Sequence, residues 1–175
     1  MSYIKHILIT LLLIIISFVL QTTLFSWFSF GGIVPNLLII LTAAKGFMQG
    51  EKSGIVVGFV CGFLIDIFFG NIIGLTAIIY MCIGYLNGLF HGFFYPDDIK
   101  LPMILILSSD FLYSLFYYMI FFLLRGRFDF RFYAVHIIIP EVVYTSLVTL
   151  IYYPILLLIH NLTNKSGKRG DRKFV

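Results

Sequence analysis

Long apolar stretches, divided by glycines, prolines and short polar segments, occupy nearly the whole chain. The first runs from about residue 7 to 28 and closes on Phe25, Trp27 and Phe28, an aromatic cluster of the kind found at membrane interfaces. After Gly31-Gly32 a second run covers 33–47, with Pro35 in its first turn, where a missing N–H does no harm. Gln49 to Ser53 reads as a polar loop, 54–69 as a third run, Gly70-Asn71 as a break, and 72–90 as a fourth run. A polar connection from His91 to Lys100 leads to the fifth, 102–124. Pro140 interrupts the last run, and two readings compete. Either a long kinked helix passes through the proline, or a span starts there and covers 140–159, leaving 128–139 at the interface or folded back into the protein. The second gives about 20 residues, the length a bilayer asks for, and is the one expected.

The pattern therefore predicts an all-α, polytopic membrane protein with about six transmembrane helices in a domain of residues 1–164, and a mobile tail over 165–175. Composition points the same way. Hydrophobic residues make up 61% of the chain and charged ones 11%, against about 25% charged in a soluble domain. Too few polar side chains exist to cover a water-facing surface, so the solvent is lipid. The charges set an orientation. Of twelve Lys and Arg, only Arg125, Arg127 and Arg131 fall on one side; the tail holds Lys165, Lys168, Arg169, Arg172 and Lys173, and Lys5, Lys45, Lys52 and Lys100 fall with it. Cationic loops stay inside, which places both termini and the tail in the cytoplasm. The net charge of +4 suits contact with anionic lipid. Basic and aromatic residues do not interleave as a nucleic-acid platform requires. Cys61 and Cys82 both fall in apolar runs and read as small buried hydrophobes.

Glycine recurs every fourth residue: Gly46, Gly50, Gly54, Gly58, Gly62, then Asp66, Gly70 and Gly74, with a second series Gly84, Gly88 and Gly92. Residues four apart share a helix face, and glycine there lets backbones approach closely. Such a face serves internal packing, the first expectation, or a partner's helix. The third run, about 16 residues long, is too short to cross the hydrocarbon comfortably and is expected to be buried among other helices.

Three acidic residues lie in or beside apolar runs, and leaving one unpaired in lipid costs several kcal/mol. Asp66 lies near the outer end of the third run, Glu141 in the first turn of the sixth, and Asp110 about 12 Å into the fifth from the opposite side. Asp66 and Glu141 are expected to pair with the three outer arginines, or to meet a partner. An aspartyl protease needs two carboxylates sharing a proton, and Asp66 and Asp110 fall in opposite leaflets. With no nucleophile elbow, metalloprotease helix or phosphate loop, no enzyme is expected. The four histidines share no ligand spacing, so neither metal nor cofactor is expected.

The order of these features resembles the MreD family of the bacterial cell-elongation machinery. Gln21 is followed by Gly31-Gly32-Ile33-Val34-Pro35-Asn36-Leu37-Leu38, similar to the family's Gly-x-x-Pro-Asp-Leu-Leu; then come Gly58-x3-Gly62-x3-Asp66-x3-Gly70-x3-Gly74, Gly84-Tyr85-x2-Gly88 and Pro140-x3-Tyr144, with a later Pro154. Asn36 stands where the family often has Asp, and Thr145 where Asn often follows. The resemblance implies a compact six-helix fold like that of small transporter substrate-binding subunits. It also implies a non-enzymatic scaffold of the bacterial inner membrane that binds an MreC-like single-span periplasmic protein and is linked to MreB-type filaments and peptidoglycan synthases of the elongasome. The rival reading is the substrate-binding subunit of an energy-coupling-factor vitamin transporter, which would need a polar outward cavity.

Overall fold

The structure is a computed structural model and describes residues 2–24, 27, 33–70, 72–93, 99–120 and 133–171. Six helices carry the fold: α1 (Ser2–Val19), α2 (Leu37–Gln49), α3 (Glu51–Phe69), α4 (Leu75–Leu89), α5 (Lys100–Tyr118) and α6 (Ile139–Asp171). A wide turn at Leu20–Leu24 extends α1, a tight one at Phe90–Phe93 extends α4, and a wide one at Ala134–Ile138 leads into α6. Five of these segments are long and apolar enough to cross a membrane; Leu37–Gln49 is the shorter exception. The all-α, polytopic architecture read from the sequence is the one observed.

The short helix is the second, not the third. At 13 residues α2 spans about 20 Å, and every residue from Leu37 to Met48 is buried. Its sequence is apolar on nearly every face, as a helix enclosed by other helices must be. Asn36 caps it, the side-chain oxygen accepting from the Ile39 N–H at 3.3 Å, and Pro35 lies ahead of the cap rather than in the first turn. The expected loop after it does not exist. Gly50 alone, at φ 90°, joins α2 to α3; a side chain there would be strained. Glu51, Lys52 and Ser53 form the first turn of α3, where Glu51 meets the positive end of the helix dipole. They bring α3 to 19 residues, a membrane-spanning length.

The glycine series closes the bundle from within. A Cβ on Gly54 or on Gly84 would run into the other glycine's carbonyl, and one on Gly58 into the backbone of Tyr80. On Gly62 it would come within 2.5 Å of the Ala77 Cα, and on Gly46 within 2.6 Å of the Gly84 oxygen. Gly88 lies as tightly on Glu51. The series therefore joins α2, α3 and α4 backbone to backbone. Gly70 and Gly74 belong to the turn instead: Gly70 abuts the Asp66 backbone at the end of α3, and Gly74, at φ 97°, has nothing within 4 Å and turns the chain into α4.

Pro140 does not begin the last span. The Ile139 N–H reaches back to the Ala134 carbonyl, one residue further than in a regular helix. This widened turn makes room for a ring that would otherwise clash with the preceding turn, and Pro140 has no N–H to lose. The helix thus runs on from Ala134, Pro154 lies within it, and it continues through the basic tail to Asp171. Residues 134–139 follow the long-helix reading; 128–132 and 121–124 lie outside the described residues.

Polar contacts define two ends of the bundle. Lys45 Nζ donates to Thr10 Oγ1 at 3.3 Å and Gln49 bonds His160 at 3.5 Å, which brings the middle of α1, the end of α2 and the late part of α6 together. Leu38 N–H donates to Gln21 Oε1 at 3.1 Å and Asn36 N–H to Thr145 Oγ1 at 3.2 Å, gathering the opposite ends into a distal end of the bundle. The outer faces of α1 and α6 are strongly apolar, for instance at Leu8, Ile15, Leu147 and Ile151. Cys61 is buried as expected, whereas Cys82 is exposed on α4.

Replacing Gly84 by Ala is expected to destabilise the protein by about 3 kcal/mol, the upper range for overpacking, because backbone cannot yield as a side chain can. Gly92→Ala, with nothing within 4 Å, is the control and is expected to leave stability nearly unchanged. Equilibrium unfolding in detergent measures both, and equal effects would refute the close backbone contact.

Candidate functional site

The polar residues of the distal end converge. Asp66 lies in the last turn of α3 and is 1% exposed. Its Oδ2 accepts from the backbone N–H groups of Gly74 at 2.9 Å and Ala77 at 3.1 Å, and its Oδ1 from that of Thr76 at 3.2 Å. Such N–H groups at a helix start have no carbonyl of their own helix to bond, and the dipole there favours negative charge. The left-handed turn at Gly74 aims them back at α3. Asp66 thus fastens the end of α3 to the start of α4. Its expected pairing with Arg125, Arg127 and Arg131 concerns residues outside the described set.

Glu141 lies in the first turn of α6, as expected, but a widened helical turn precedes that turn. The helical run begins seven residues earlier, at Ala134, so Glu141 sits about 10 Å further along it. There it meets α5, and Ser114 Oγ donates to its Oε2 at 2.9 Å. Asp110 precedes Ser114 by one turn and acts electrostatically on Glu141. Asp110 is fully buried beside Thr145, and neither carboxylate oxygen has a hydrogen-bond partner of normal geometry. Through Ser114, Glu141 therefore joins α6 to the turn of α5 that follows Asp110. Among the described residues no lysine, arginine or histidine forms an ion pair with Asp66, Asp110 or Glu141.

Asn36, Thr145 and Tyr80 complete the cluster. The Asn36 side-chain oxygen accepts from the Tyr80 hydroxyl at 2.8 Å as well as from Ile39, while its N–H donates to Thr145. The Tyr80 ring meets Tyr113 edge-on at 5.4 Å, joining α4 to α5. Asn87 makes a parallel join, donating to Ser109 Oγ at 2.7 Å. Asn36 and Thr145 entered the sequence reading only as departures from a family pattern; their 109-residue separation hid that they touch. Tyr80, Ser114 and Gln21 gave no signal of this contact there at all.

Between these side chains lies a cavity of about 350 Å³. Asp66 and Glu141 both line it, with Gln21 and Thr22 from the end of α1 and Tyr113 and Tyr117 from α5. Of the residues singled out from sequence, Gly58, Gly62, Gly84 and Gly88 lie in the helix contacts, Gly70 and Gly74 in the turn that presents α4 to Asp66, and Asp110 on α5 one turn before Ser114. Among the described residues no group of three or more His, Cys, Asp or Glu is arranged to hold a metal ion.

Comparison with protein families matches residues 1–162 to MreD, the rod shape-determining protein. Comparisons with curated proteins and with solved structures gave no match.

Asp66→Ala removes the acceptor of three N–H groups and is expected to cost on the order of 3 kcal/mol, and Asp66→Asn, which keeps one carbonyl, about half of that. Chemical unfolding in detergent reads both; an unchanged midpoint for the alanine variant would show that Asp66 does not hold α4. Asn36 and Thr145 are expected to be coupled. Asn36→Asp adds a carboxylate near Asp110, and Thr145→Asn supplies an amide donor beside it. A double-mutant cycle should give a coupling of about 1 kcal/mol in favour of the pair; additive effects would rule the coupling out.

Proposed function

This chain belongs to the rod shape-determining MreD family, and on that footing we propose that it is a non-enzymatic scaffold of the bacterial cell-elongation complex. In this reading it sits in the inner membrane with both termini in the cytoplasm. It binds an MreC-like single-span periplasmic protein and so supports peptidoglycan synthesis along the cell's sides, in concert with MreB-type filaments. The observation that carries the reading is the family match itself, which extends over residues 1–162 and takes in every helix up to the last turns of α6. Family membership does not favour the vitamin-transporter alternative.

The packing bears on where a partner's helix would lie. Gly54, Gly58 and Gly84 are filled from within by neighbouring backbone, so they are not free to receive a second protein. The opposite face of α3 is open: Val56, Phe59, Phe63 and Ile67 are exposed, and the Phe59 and Phe63 rings stack at 5.6 Å. The close α3–α4 contact gives that face a rigid backing, and rigid aromatic surface loses little entropy on binding. We place the partner's membrane helix there.

Photo-crosslinking in cells tests the placement. A crosslinking residue at Phe59 or Phe63 is expected to capture the MreC-like protein, and one at Leu147 or Ile151 on α6 is not. Depletion of the protein should turn rods into spheres. Capture from α6 alone would move the interface; rods that persist without the protein would end the functional reading.

A further inference from the structure

We propose that the distal cavity is a binding site for a ligand bearing an ammonium group, supplied by a free organic amine or by the head group of an aminophospholipid. The lining sets the chemistry. Two carboxylates, Asp66 and Glu141, face the same cavity of about 350 Å³, a volume within the range of small-molecule sites. Asp66 is already matched by three N–H groups of α4. Glu141 is not matched in the same way: its Oε2 accepts from Ser114, and among the described residues its Oε1 accepts nothing.

A second observation, made away from the cavity wall, also calls for positive charge. Asp110 is fully buried, neither of its oxygens has a hydrogen-bond partner of normal geometry, and it lies one turn before Ser114, the donor to Glu141. Two neighbouring carboxyls inside a membrane bundle, with no cation against either among the described residues, are poorly compensated. A cation seated against Glu141 answers both. Tyr113 and Tyr117 stand beside that position with ring centres 5.9 Å apart, and aromatic faces attract ammonium groups. Phe18, Val34, Ile65 and Phe69 give part of the wall an apolar surface for the body of an amine, beside the polar Gln21 and Thr22. The cavity lies among the distal helix ends, the level at which lipid head groups begin, so both sources of the amine can reach it.

The test uses the full chain in nanodiscs and in detergent. Native mass spectrometry compares retention of phosphatidylethanolamine and phosphatidylglycerol, and titration calorimetry compares phenethylamine with its neutral counterpart 2-phenylethanol. Retention of phosphatidylethanolamine over phosphatidylglycerol identifies the lipid as source; binding of phenethylamine without that retention identifies a free amine. In either case Glu141→Gln is expected to weaken binding about tenfold or more, the loss of one charged hydrogen bond. Thr22→Phe, whose hydroxyl bonds only carbonyls of its own helix, is expected to fill the cavity and block binding even should the glutamine variant fold poorly. Equal retention of the two lipids, together with no preference for phenethylamine over 2-phenylethanol, overturns the proposal. So does amine binding that survives both substitutions.

Discussion

Direct contact between the backbones of α3 and α4 is the constraint on which the other arrangements rest. Gly54 and Gly84 oppose each other with no side chain between them, and Gly58 and Gly62 repeat the arrangement along α3 against Tyr80 and Ala77. In lipid, apolar surface gains little by leaving one apolar environment for another, so helices hold together through close packing and polar contacts. Glycine supplies both here. It lets two helices approach to backbone distance, and that approach brings the start of α4 within reach of the Asp66 carboxylate. Were the helices separated by ordinary side chains, the three N–H groups that Asp66 accepts from would lie out of range.

The distal polar cluster is a consequence of this register. With α4 fixed on α3, Tyr80 reaches Asn36, Asn36 reaches Thr145, and Asn87 reaches Ser109. Each link crosses between helices and each is buried. Among the described residues, both Asp110 oxygens and the Asn87 Oδ1 lack a hydrogen-bond partner of normal geometry, and Glu141 accepts from Ser114 alone. The membrane-embedded body is thus specified by packing and by a few internal hydrogen bonds.

The features legible in the sequence were those carried by composition and period. The apolar runs gave an all-helical membrane protein, and the four-residue glycine period marked the face on which α3 and α4 meet. Element boundaries failed wherever a special backbone turn intervened. Polarity made Gln49 to Ser53 look like a loop, yet one left-handed glycine turns the chain and the polar residues become a helical turn. Proline at 140 looked like a start, yet one widened turn absorbs it. The same turn carries the helix on ahead of Glu141, whose contact with Ser114 on α5 had no local signal. Contacts such as Asn36 with Thr145 join positions 109 residues apart and have no local signature. Only the three-dimensional arrangement reveals that the chain's two departures from the family pattern are neighbours.

The enclosure of α2 has a bearing on biogenesis. This helix is 13 residues long and carries Lys45 in its second half, so it is a poor membrane segment on its own: too short to cross the roughly 30 Å hydrocarbon layer and burdened with a cation. Its finished surroundings are protein on every side. Entry as one hairpin with α3, hinged at Gly50, would supply the length and the shielding that α2 lacks. The core of the molecule is laid down by a segment that could not have reached its place alone.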